Sequence, residues 1–341
     1  MRVEDIFLAG IATHLPERVT TEEAVRQGWY DADQRETSGM LSVAVGGDMP
    51  APDMAVEAGR RALERSGHRP DEIVGLLHSP VHHQGPEGWS AAHYILHQTV
   101  DQPVMALEIR QGCLGMLTSV RLAASLLTSL PEPAAVLLTA ADNFSTPNVD
   151  RWRASTHYLL ADGGSAVVLS RRAGFARLLA VGNVSAPEAE ILHRAGEPMF
   201  PPGLTVGRKL DIEARAQYWQ EQWAQGIAPP TFHLGDLVVA AAKSTLDDAG
   251  LDLSDVSRVV ASGVAYPHVT QGILEPLGIP EARSTWEFAR RLGHAGGTDQ
   301  IAGLEHLLER GELSPGDRVL LVSVTVGMEV GCAVIEIERM P

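Results

Sequence analysis

The sequence is poor in cysteine, since its 341 residues include only Cys113 and Cys332. A secreted chain of this length would more often carry a disulfide framework, so this scarcity favours a reducing compartment, and we expect the cytoplasm. Basic residues are also in deficit, with 27 Lys and Arg against 43 Asp and Glu and a net charge of −16. A chain this acidic repels polyphosphate, which argues against nucleic acid as a partner.

Long apolar runs are missing as well. No stretch reaches the roughly 20 residues that a transmembrane helix needs, so we expect no membrane partner. The apolar patch at the N-terminus is broken by Glu4, Asp5 and His14, and it lacks the basic region and the cleavage site of a signal peptide. With 45% hydrophobic residues, the chain still has ample material for one large core or two fused ones.

Several ligand-binding motifs are absent. The chain has neither a Walker A sequence nor a GxGxxG fingerprint, which argues against a P-loop or a dinucleotide-binding turn. The spacing of His82-His83 and of His93 and His97 is compatible with a metal, but no third ligand or HExxH pattern accompanies them. We therefore expect no metal, and we interpret the turn at 162–165 as structural.

The most informative feature that is present is an internal repeat. Residues 53–79 align without a gap on residues 236–262. Each copy has helical periodicity that ends at a glycine, Gly67 or Gly250, followed by a short polar turn and an apolar strand. The correspondence continues through two glycine-rich turns with amphipathic helices, at 112–127 and 293–308, and two buried strands, at 135–140 and 318–323.

The repeat predicts a fold of class α/β that consists of two similar halves. Apolar strands flanked by helices are typical of parallel strands covered on both faces, and the duplication indicates a pseudo-twofold axis. We predict an N-terminal half at 1–183, an insertion at 184–234 that has no counterpart, and a C-terminal half at 235–341. The insertion holds a predicted helix around 211–225 with three aromatic residues, which either covers a substrate entrance or serves only for packing.

Cys113 is the candidate nucleophile. It lies between Gly112 and Gly115, after a predicted strand and at the start of the helix that follows. A thiol at a helix N-terminus meets unpaired N–H groups and the positive end of the helix dipole, which favours the reactive thiolate. The glycines would let a ligand approach the backbone closely. Cys332, inside an apolar strand, is predicted to be buried and inert.

The repeat also points to a base. His294 begins the second-half helix much as Cys113 begins the first, and a pseudo-twofold axis would bring the two helix starts together. A Cys–His pair is the minimum for nucleophilic acyl transfer. Asp299, a few residues further on, is interpreted as the group that orients the imidazole, with a solvated acid at a helix start as the alternative. His268 follows a second-half strand, at the sheet edge where active sites gather, and is either a site histidine or a core or rim residue.

These features together resemble the β-ketoacyl-(acyl-carrier-protein) synthase III family of the thiolase superfamily. The matching segments are 3–16, the Cys113 turn, 160–166, Pro267-His268 and 311–317, in an order and spacing that fit almost the whole chain. The resemblance implies a thiolase fold, with two βαβαβαββ halves in a five-layer α/β/α/β/α sandwich. It also implies a homodimer, no bound cofactor, and acyl-CoA as the co-substrate whose acyl group moves to the cysteine. The nucleotide end of CoA would lie near three residues in loosely matching regions: Trp29, Arg35 and Arg153.

One position departs from that family. Its members carry Cys, His and Asn, which Cys113 and His268 match, but His294 stands where the Asn is expected. In the condensing enzymes, the His and Asn hold the thioester oxygen while a malonyl group loses CO₂ and becomes a carbon nucleophile. One oxyanion donor is worth roughly 2.7–4 kcal/mol, so its loss weakens that chemistry. An added base near the cysteine suits an oxygen nucleophile better.

The pattern Cys…Gly-His-x4-Asp is similar to a branch of synthase III-like acyltransferases in natural-product pathways. These enzymes move an acyl group from CoA or a carrier protein to a hydroxyl, often on a sugar. The similarity implies Cys113, His294 and Asp299 as catalytic residues, with His268 as a further catalytic or oxyanion-binding group. We predict transfer of malonyl-CoA's acyl group, or a similar one, to a glycosylated polyketide. A decarboxylative C–C condensing enzyme of starter-unit type and a non-catalytic partner subunit of a synthase are the alternatives, and the presence of Cys113 argues against the latter.

Overall fold

The computed structural model of the protein describes residues 1–230 and 233–340. Thr231 and Phe232, near the end of the predicted insertion, and the terminal Pro341 lie outside the described residues. The strands are β1 (Phe7–His14), β2 (Arg18–Thr20), β3 (Ser42–Ala44), β4 (Ile73–Ser79), β5 (Met105–Glu108), β6 (Ala135–Asp142), β7 (Gly163–Ser170), β8 (Ala176–Ser185), β9 (Arg258–Val260), β10 (Arg318–Thr325) and β11 (Glu329–Ile337). The α-helices are α1 (Thr21–Arg26), α2 (Ala32–Ser38), α3 (Ala51–Ser66), α4 (Ala91–Thr99), α5 (Gly115–Leu127), α6 (Glu190–Arg194), α7 (Ile212–Ala224), α8 (Leu234–Ala249), α9 (Tyr266–Val269), α10 (Glu275–Leu277), α11 (Trp286–Leu292) and α12 (Asp299–Glu309).

The predicted repeat is present as repeated structure. Helix α3 ends at Gly67 and helix α8 ends at Gly250, and both glycines have positive φ, +63° and +71°. That left-handed conformation is the one in which glycine closes a helix without steric cost. In each copy a 3₁₀ turn follows and leads into a buried strand, β4 or β9. The later pairs, α5 with α12 and β6 with β10, continue the correspondence.

Nine of the described strands form one sheet, in the order β5-β4-β6-β7-β1-β8-β11-β10-β9. Its two halves meet where β1 pairs with β8 over a short register at Phe7 and Leu8. The order of strands in one half mirrors that in the other. An isolated parallel bridge from Val259 to Ser284 lies where the second half would have a counterpart of β5. This mirrored order is the pseudo-twofold relation that the repeat predicted.

The strands are not all parallel, so that expectation was wrong. Strand β4 is parallel to β5 and β6, and β9 is parallel to β10. The pairs β6–β7, β1–β7, β8–β11 and β10–β11 are antiparallel. A strand buried on both faces has the same continuous apolar sequence in either direction, so the apolar runs did not reveal the orientation.

Helices and sheet halves alternate in five layers, as in the thiolase fold. Helix α3 covers β1, β6 and β7 on one outer face, and α8 covers β8 and β11 on the other. Helices α5 and α12 lie between the two halves, where α5 contacts β6 and β11 and α12 contacts β1 and β10. A large core cluster fills this middle layer, with Leu117 and Val120 from α5 and Leu304 and Leu307 from α12. The starts of these two central helices therefore face the same place.

The predicted insertion contains α6 and α7. Helix α7 matches the helix predicted around 211–225, and Asp211 caps it by accepting a hydrogen bond from the Ala214 amide (2.8 Å). Strand β8 crosses the predicted boundary at 183 and pairs with β11, so the second half of the sheet begins before the insertion. The division of the chain into three domains stays a prediction. None of the described helices is long and apolar enough to cross a membrane.

Candidate active site

The nucleophile turn is built into the gap between the two sheet halves. Cys113 lies in a 3₁₀ turn, Gly112–Leu114, directly before α5. A Cβ on Gly112 would come within 2.3 Å of the Thr325 hydroxyl, and one on Gly115 within 2.8 Å of the Ser79 Cβ. These glycines are thus required by close packing of the protein on itself rather than by the approach of a ligand. The Ser323 hydroxyl donates to the Cys113 carbonyl (2.9 Å) and fixes the turn from β10.

The structure brings Cys113, His294 and Asp299 together in one hydrogen-bonded row. The Cys113 Sγ lies 2.9 Å from His294 Nε2, and His294 Nδ1 lies 2.6 Å from Asp299 Oδ2. Both His294 and Asp299 are buried, at 3% and 4% exposure, whereas Cys113 is half-buried. The contact of the two helix starts is the one that the pseudo-twofold axis predicted.

Two backbone amides fix the orientation of the Asp299 carboxylate towards the imidazole of His294. Its Oδ1 accepts a hydrogen bond from the Ala295 amide (2.8 Å), and its Oδ2 accepts one from the Gly263 amide (2.7 Å). The alternative of a solvated acid is excluded by this burial. Because the carboxylate is a hydrogen-bond acceptor, His294 presents Nδ1–H to it, and Nε2 is left to face the thiol.

The charges on either side of His294 set its protonation. Burial, the largest single influence, would lower the pKa of His294, but the Cys113 thiolate and the Asp299 carboxylate outweigh it and raise the pKa well above its usual value. A protonated His294 would stabilise a thiolate on Cys113 across their 2.9 Å contact. The half-buried thiol, not the buried histidine, is the group that a substrate can reach.

A loop segment that sequence reasoning missed supports the row from the side. His294 donates its backbone N–H to the Leu159 carbonyl (2.8 Å) and accepts at its own carbonyl from the Ala161 amide (2.9 Å). The ring of Tyr158 packs 5.1 Å from that of His294. Burial and the nearby Cys113 raise the pKa of Tyr158, so its hydroxyl stays protonated. The Asp162 carboxylate anchors the end of this segment through a buried pair with Arg151 (2.9 Å), which agrees with the structural role predicted for the 162–165 turn.

His268 is not part of the row. It lies on α9, and no hydrogen bond within the described residues joins its ring to Cys113 or His294. Its ring packs against that of His157, with centroids 4.3 Å apart, and its buried Nδ1 has no partner among the described residues. Burial, followed by the neighbouring His157, lowers the pKa of His268 to about 4. His268 is therefore a neutral imidazole beside the Cys113–His294–Asp299 row and not a member of it.

The residues predicted to contact CoA lie around α1. Trp29 is 46% exposed. Arg153 donates to the carbonyl of the adjacent Gly28, and Arg35 donates to the Thr21 hydroxyl (3.2 Å). An exposed indole and two guanidinium groups thus share one surface region. The assignment of this region to CoA stays a prediction.

The other candidates have different surroundings. Cys332 is fully buried, and burial raises the pKa of its thiol to about 12, which makes it inert. His93 pairs with Ser90 and His97 with Asp101. In the parts of the chain that the structure describes, no group of three His, Cys, Asp or Glu side chains has a metal-binding arrangement.

A buried acid that sequence reasoning missed lies next to the row. Asp142 ends β6, and its carboxyl group accepts hydrogen bonds from the amides of Val81 (3.0 Å) and His82 (2.8 Å). Burial, which these two bonds oppose, raises the pKa of Asp142 to about 8. Its position at the end of a strand was the available signal, but nothing in the sequence showed that the carboxyl would be covered.

Comparisons with known proteins give the family. Residues 107–183 match the family model of 3-oxoacyl-(acyl-carrier-protein) synthase III, and residues 246–337 match that of its C-terminal part. The solved structure of ChlB3, described as an acyltransferase, is 40% identical and superposes with a TM-score of 0.92 over 98% of each chain. This chain belongs to the synthase III family. It is an enzyme of the thiolase fold whose family carries out acyl transfer or condensation.

More distant relatives agree with this placement. The β-ketoacyl-(acyl-carrier-protein) synthase III 3 of Streptomyces coelicolor is 28% identical, over 96% of this chain and 95% of its own. The synthase III of Aquifex aeolicus is 19% identical and shares the fold with a TM-score of 0.78, over 97% of this chain and 99% of its own. Within this family, the Cys113–His294–Asp299 row is the feature of this chain that bears on the reaction.

Proposed function

We propose that this enzyme transfers an acyl group from CoA, through a thioester on Cys113, to a hydroxyl of a small-molecule acceptor. The observation that carries the proposal is the row Cys113–His294–Asp299, in which a nucleophile, a base and an orienting carboxylate follow one another at 2.9 and 2.6 Å. Malonyl is the acyl group we propose first, and a sugar of a glycosylated polyketide is the proposed acceptor. The similarity to ChlB3, which is described as an acyltransferase, supports the reaction class.

The first half-reaction would start from a thiolate on Cys113 and a protonated His294. The Cys113 thiolate attacks the thioester carbonyl of acyl-CoA, and a new C–S bond forms as the bond to the CoA sulfur breaks. The departing CoA thiolate takes the proton from His294 and leaves as free CoA. The enzyme then holds a neutral His294 beside an acylated Cys113.

The second half-reaction follows from the lost charge. The thiolate is one of the two groups that raise the pKa of His294, so acylation of Cys113 lowers that pKa and frees the imidazole to act as a base. His294 takes the proton of the acceptor hydroxyl as its oxygen attacks the thioester carbonyl, and the ester forms as the C–S bond breaks. Asp299 stabilises the imidazolium that results. The thiolate–imidazolium pair is then restored.

This arrangement suits an oxygen nucleophile better than a carbanion. Condensation needs an uncharged donor that holds the enolate oxygen while CO₂ leaves, and the Asn that serves there in the family is replaced by His294. Because Asp299 and Cys113 occupy both ring nitrogens of His294, this histidine is poorly placed to hold an enolate. Malonyl would therefore be transferred whole.

The donor and the setting of the reaction are also proposed. CoA would contact the exposed region around α1 that holds Trp29, Arg35 and Arg153, and it would act as a co-substrate rather than as a bound cofactor. Free thiols at both cysteines are compatible with the cytoplasm. We propose a homodimer because β5 is an edge strand whose apolar side chains Met105 and Leu107 are each 44% exposed, and a second copy would cover them.

Incubation with malonyl-CoA carrying a labelled carboxyl group tests the reaction class. We expect intact-protein mass spectrometry to show a malonyl adduct on Cys113, with the label retained. An acceptor hydroxyl should then remove the adduct as an ester, and products from a panel of glycosides can be identified by mass. The absence of an adduct with any acyl-CoA would contradict the proposal.

Decarboxylative condensation is the second candidate, because His268 is retained beside the site. Release of labelled CO₂ in the same experiment would favour it and exclude transfer of an intact malonyl group. An adduct on Cys332 instead of Cys113 would contradict both mechanisms.

A further inference from the structure

Three histidines near the catalytic row come from segments that the row itself does not use. His157 and His268 pack ring against ring, with centroids 4.3 Å apart. His193 lies on helix α6 of the insertion, and its pKa is lowered first by burial and then by the charges of Arg215 and His157. We call His157, His193 and His268 the histidine entrance.

The histidine entrance is adjacent to the reacting groups. The carbonyl of His157 accepts from the Ala265 amide (2.7 Å), three residues before His268. The next residue, Tyr158, packs its ring against that of His294. On the other side, His193 Nδ1 accepts a hydrogen bond from the Gly327 amide (3.3 Å). Gly327 lies in the turn after β10, whose last residue, Thr325, packs against Gly112. Tyr158 and this turn therefore connect the entrance to both members of the Cys–His pair.

The entrance is open to solvent and has unused hydrogen-bonding capacity. His157 is exposed, while His193 and His268 are half-buried. The Nδ1 of His268 is buried without a partner among the described residues. A buried polar atom of this kind costs free energy unless a ligand or water satisfies it. The unpaired Nδ1 of His268 and the exposed ring of His157 are thus the hydrogen-bonding groups that the entrance could use for a ligand.

The charged groups around the entrance are already engaged. Glu213, on α7, accepts from the amide (2.6 Å) and the hydroxyl (3.0 Å) of Thr156. Arg215, two residues further along the same helix, pairs with Glu197 at 2.8 Å. These contacts hold the insertion against the 156–158 segment and use up the charges that could otherwise bind an anion.

Two histidines of the entrance, His193 and His268, favour the neutral form. Burial lowers the pKa of His268 to about 4, and burial, together with the charges of Arg215 and His157, also lowers the pKa of His193. A neutral imidazole has one N–H donor and one acceptor nitrogen. A hydroxyl group has the same complement, whereas a carboxylate or phosphate needs donors alone.

We infer that the histidine entrance binds the acceptor and selects an uncharged, hydroxyl-rich molecule such as a glycoside. This inference rests on the proposed function and extends it, because it assigns the acceptor to named residues of the insertion and of the two halves. It also gives the insertion the role of a substrate entrance rather than of packing alone. His268 would contact the acceptor and not the thioester oxygen.

The test measures deacylation of the Cys113 acyl-enzyme by two kinds of hydroxyl. A panel of methyl glycosides serves as the hydroxyl-rich probe, and methanol serves as a small hydroxyl that needs only the base. His157→Ala, His193→Ala and His268→Ala should each raise the glycoside concentration for half-maximal deacylation about three- to tenfold, the worth of one net hydrogen bond. Deacylation by methanol should change less. His268→Asn keeps a hydrogen-bond donor and an acceptor. Its glycoside concentration for half-maximal deacylation should therefore lie between those of the wild type and of His268→Ala.

The control is His97→Ala, because the side chain of this histidine is 71% exposed and pairs with Asp101 at the surface. It should leave both reactions unchanged. Equal losses with glycoside and methanol, or no loss in any of the three variants, would overturn the assignment of the entrance. If no glycoside deacylates the wild-type acyl-enzyme while methanol does, the acceptor class is wrong. If no acyl-enzyme forms at all, the proposed function fails instead.

Discussion

Replacement of Asp299 by Asn tests whether His294 and Asp299 act as a unit. The carboxylate accepts three hydrogen bonds, from His294 Nδ1 and from the amides of Gly263 and Ala295. An amide group has a single acceptor oxygen, so at least one of these buried N–H groups would face an NH₂ group in Asp299→Asn. The substitution also removes the charge that stabilises the imidazolium.

The size of the effect follows from these contacts. A buried unsatisfied donor costs about 1–3 kcal/mol, and a hydrogen bond to a charged group is worth about 1.5–3 kcal/mol. If Asp299→Asn loses roughly 3 kcal/mol of transition-state stabilisation, transfer of the acyl group to the acceptor slows about 100-fold. His294→Ala removes the base, whose contribution is roughly 10²–10⁴-fold, so its loss should be larger. The double variant should be little slower than His294→Ala, because residues that act together are not additive.

The two half-reactions should respond differently. The helix start favours the Cys113 thiolate independently of the base, so His294→Ala should still accumulate acyl-enzyme while it transfers the acyl group slowly. Single-turnover rates of acylation and transfer, followed by rapid quench and intact-protein mass, measure both steps. Thermal unfolding of each variant controls for loss of the fold.

His268→Ala provides the result that would refute this reasoning. It should slow transfer less than His294→Ala does. If His268→Ala abolishes transfer while His294→Ala stays near the wild-type rate, the base has been misassigned, and the histidine shared with the condensing enzymes performs that step.

The remaining predictions concern the nucleophile, a buried acid and the sheet edge. Cys113→Ala should form no thioester with malonyl-CoA, whereas Cys332→Ala should form it, and intact-protein mass distinguishes them. The pKa of Asp142 is raised to about 8 in the fold from an ordinary 3.8, so the folded protein keeps a proton that the unfolded chain loses. The free energy of unfolding should therefore fall as the pH rises from about 4 to 8. Urea denaturation of Asp142→Asn should show a flatter pH dependence, and an unchanged dependence would contradict the role of Asp142. Leu107→Lys should weaken the proposed dimer about tenfold or more, and an unchanged mass in sedimentation would contradict an interface at β5.

The insertion shows how far pattern alone carries a prediction. Its helix at 211–225 was visible in the sequence, with Asp211 as its cap. The sequence did not show which of its side chains would face the site, because α7 has no continuous apolar stripe. Its contact with the site segment is made by Glu213 to Thr156, a residue far away in sequence. A contact between two irregular segments leaves no periodic signal.

The sequence by itself determined the duplication, the helix starts and the meeting of Cys113 with His294. These follow from local rules, namely glycine at helix ends and apolar periodicity, together with the symmetry that a repeat imposes. Only the tertiary structure decided strand direction, the burial of Asp142 and the convergence of His157, His193 and His268. Burial on both faces hides strand direction, and burial of a single polar group depends on what covers it. His157 lies in a loop, His193 on a helix of the insertion and His268 on α9, and these segments come near one another only when the chain packs.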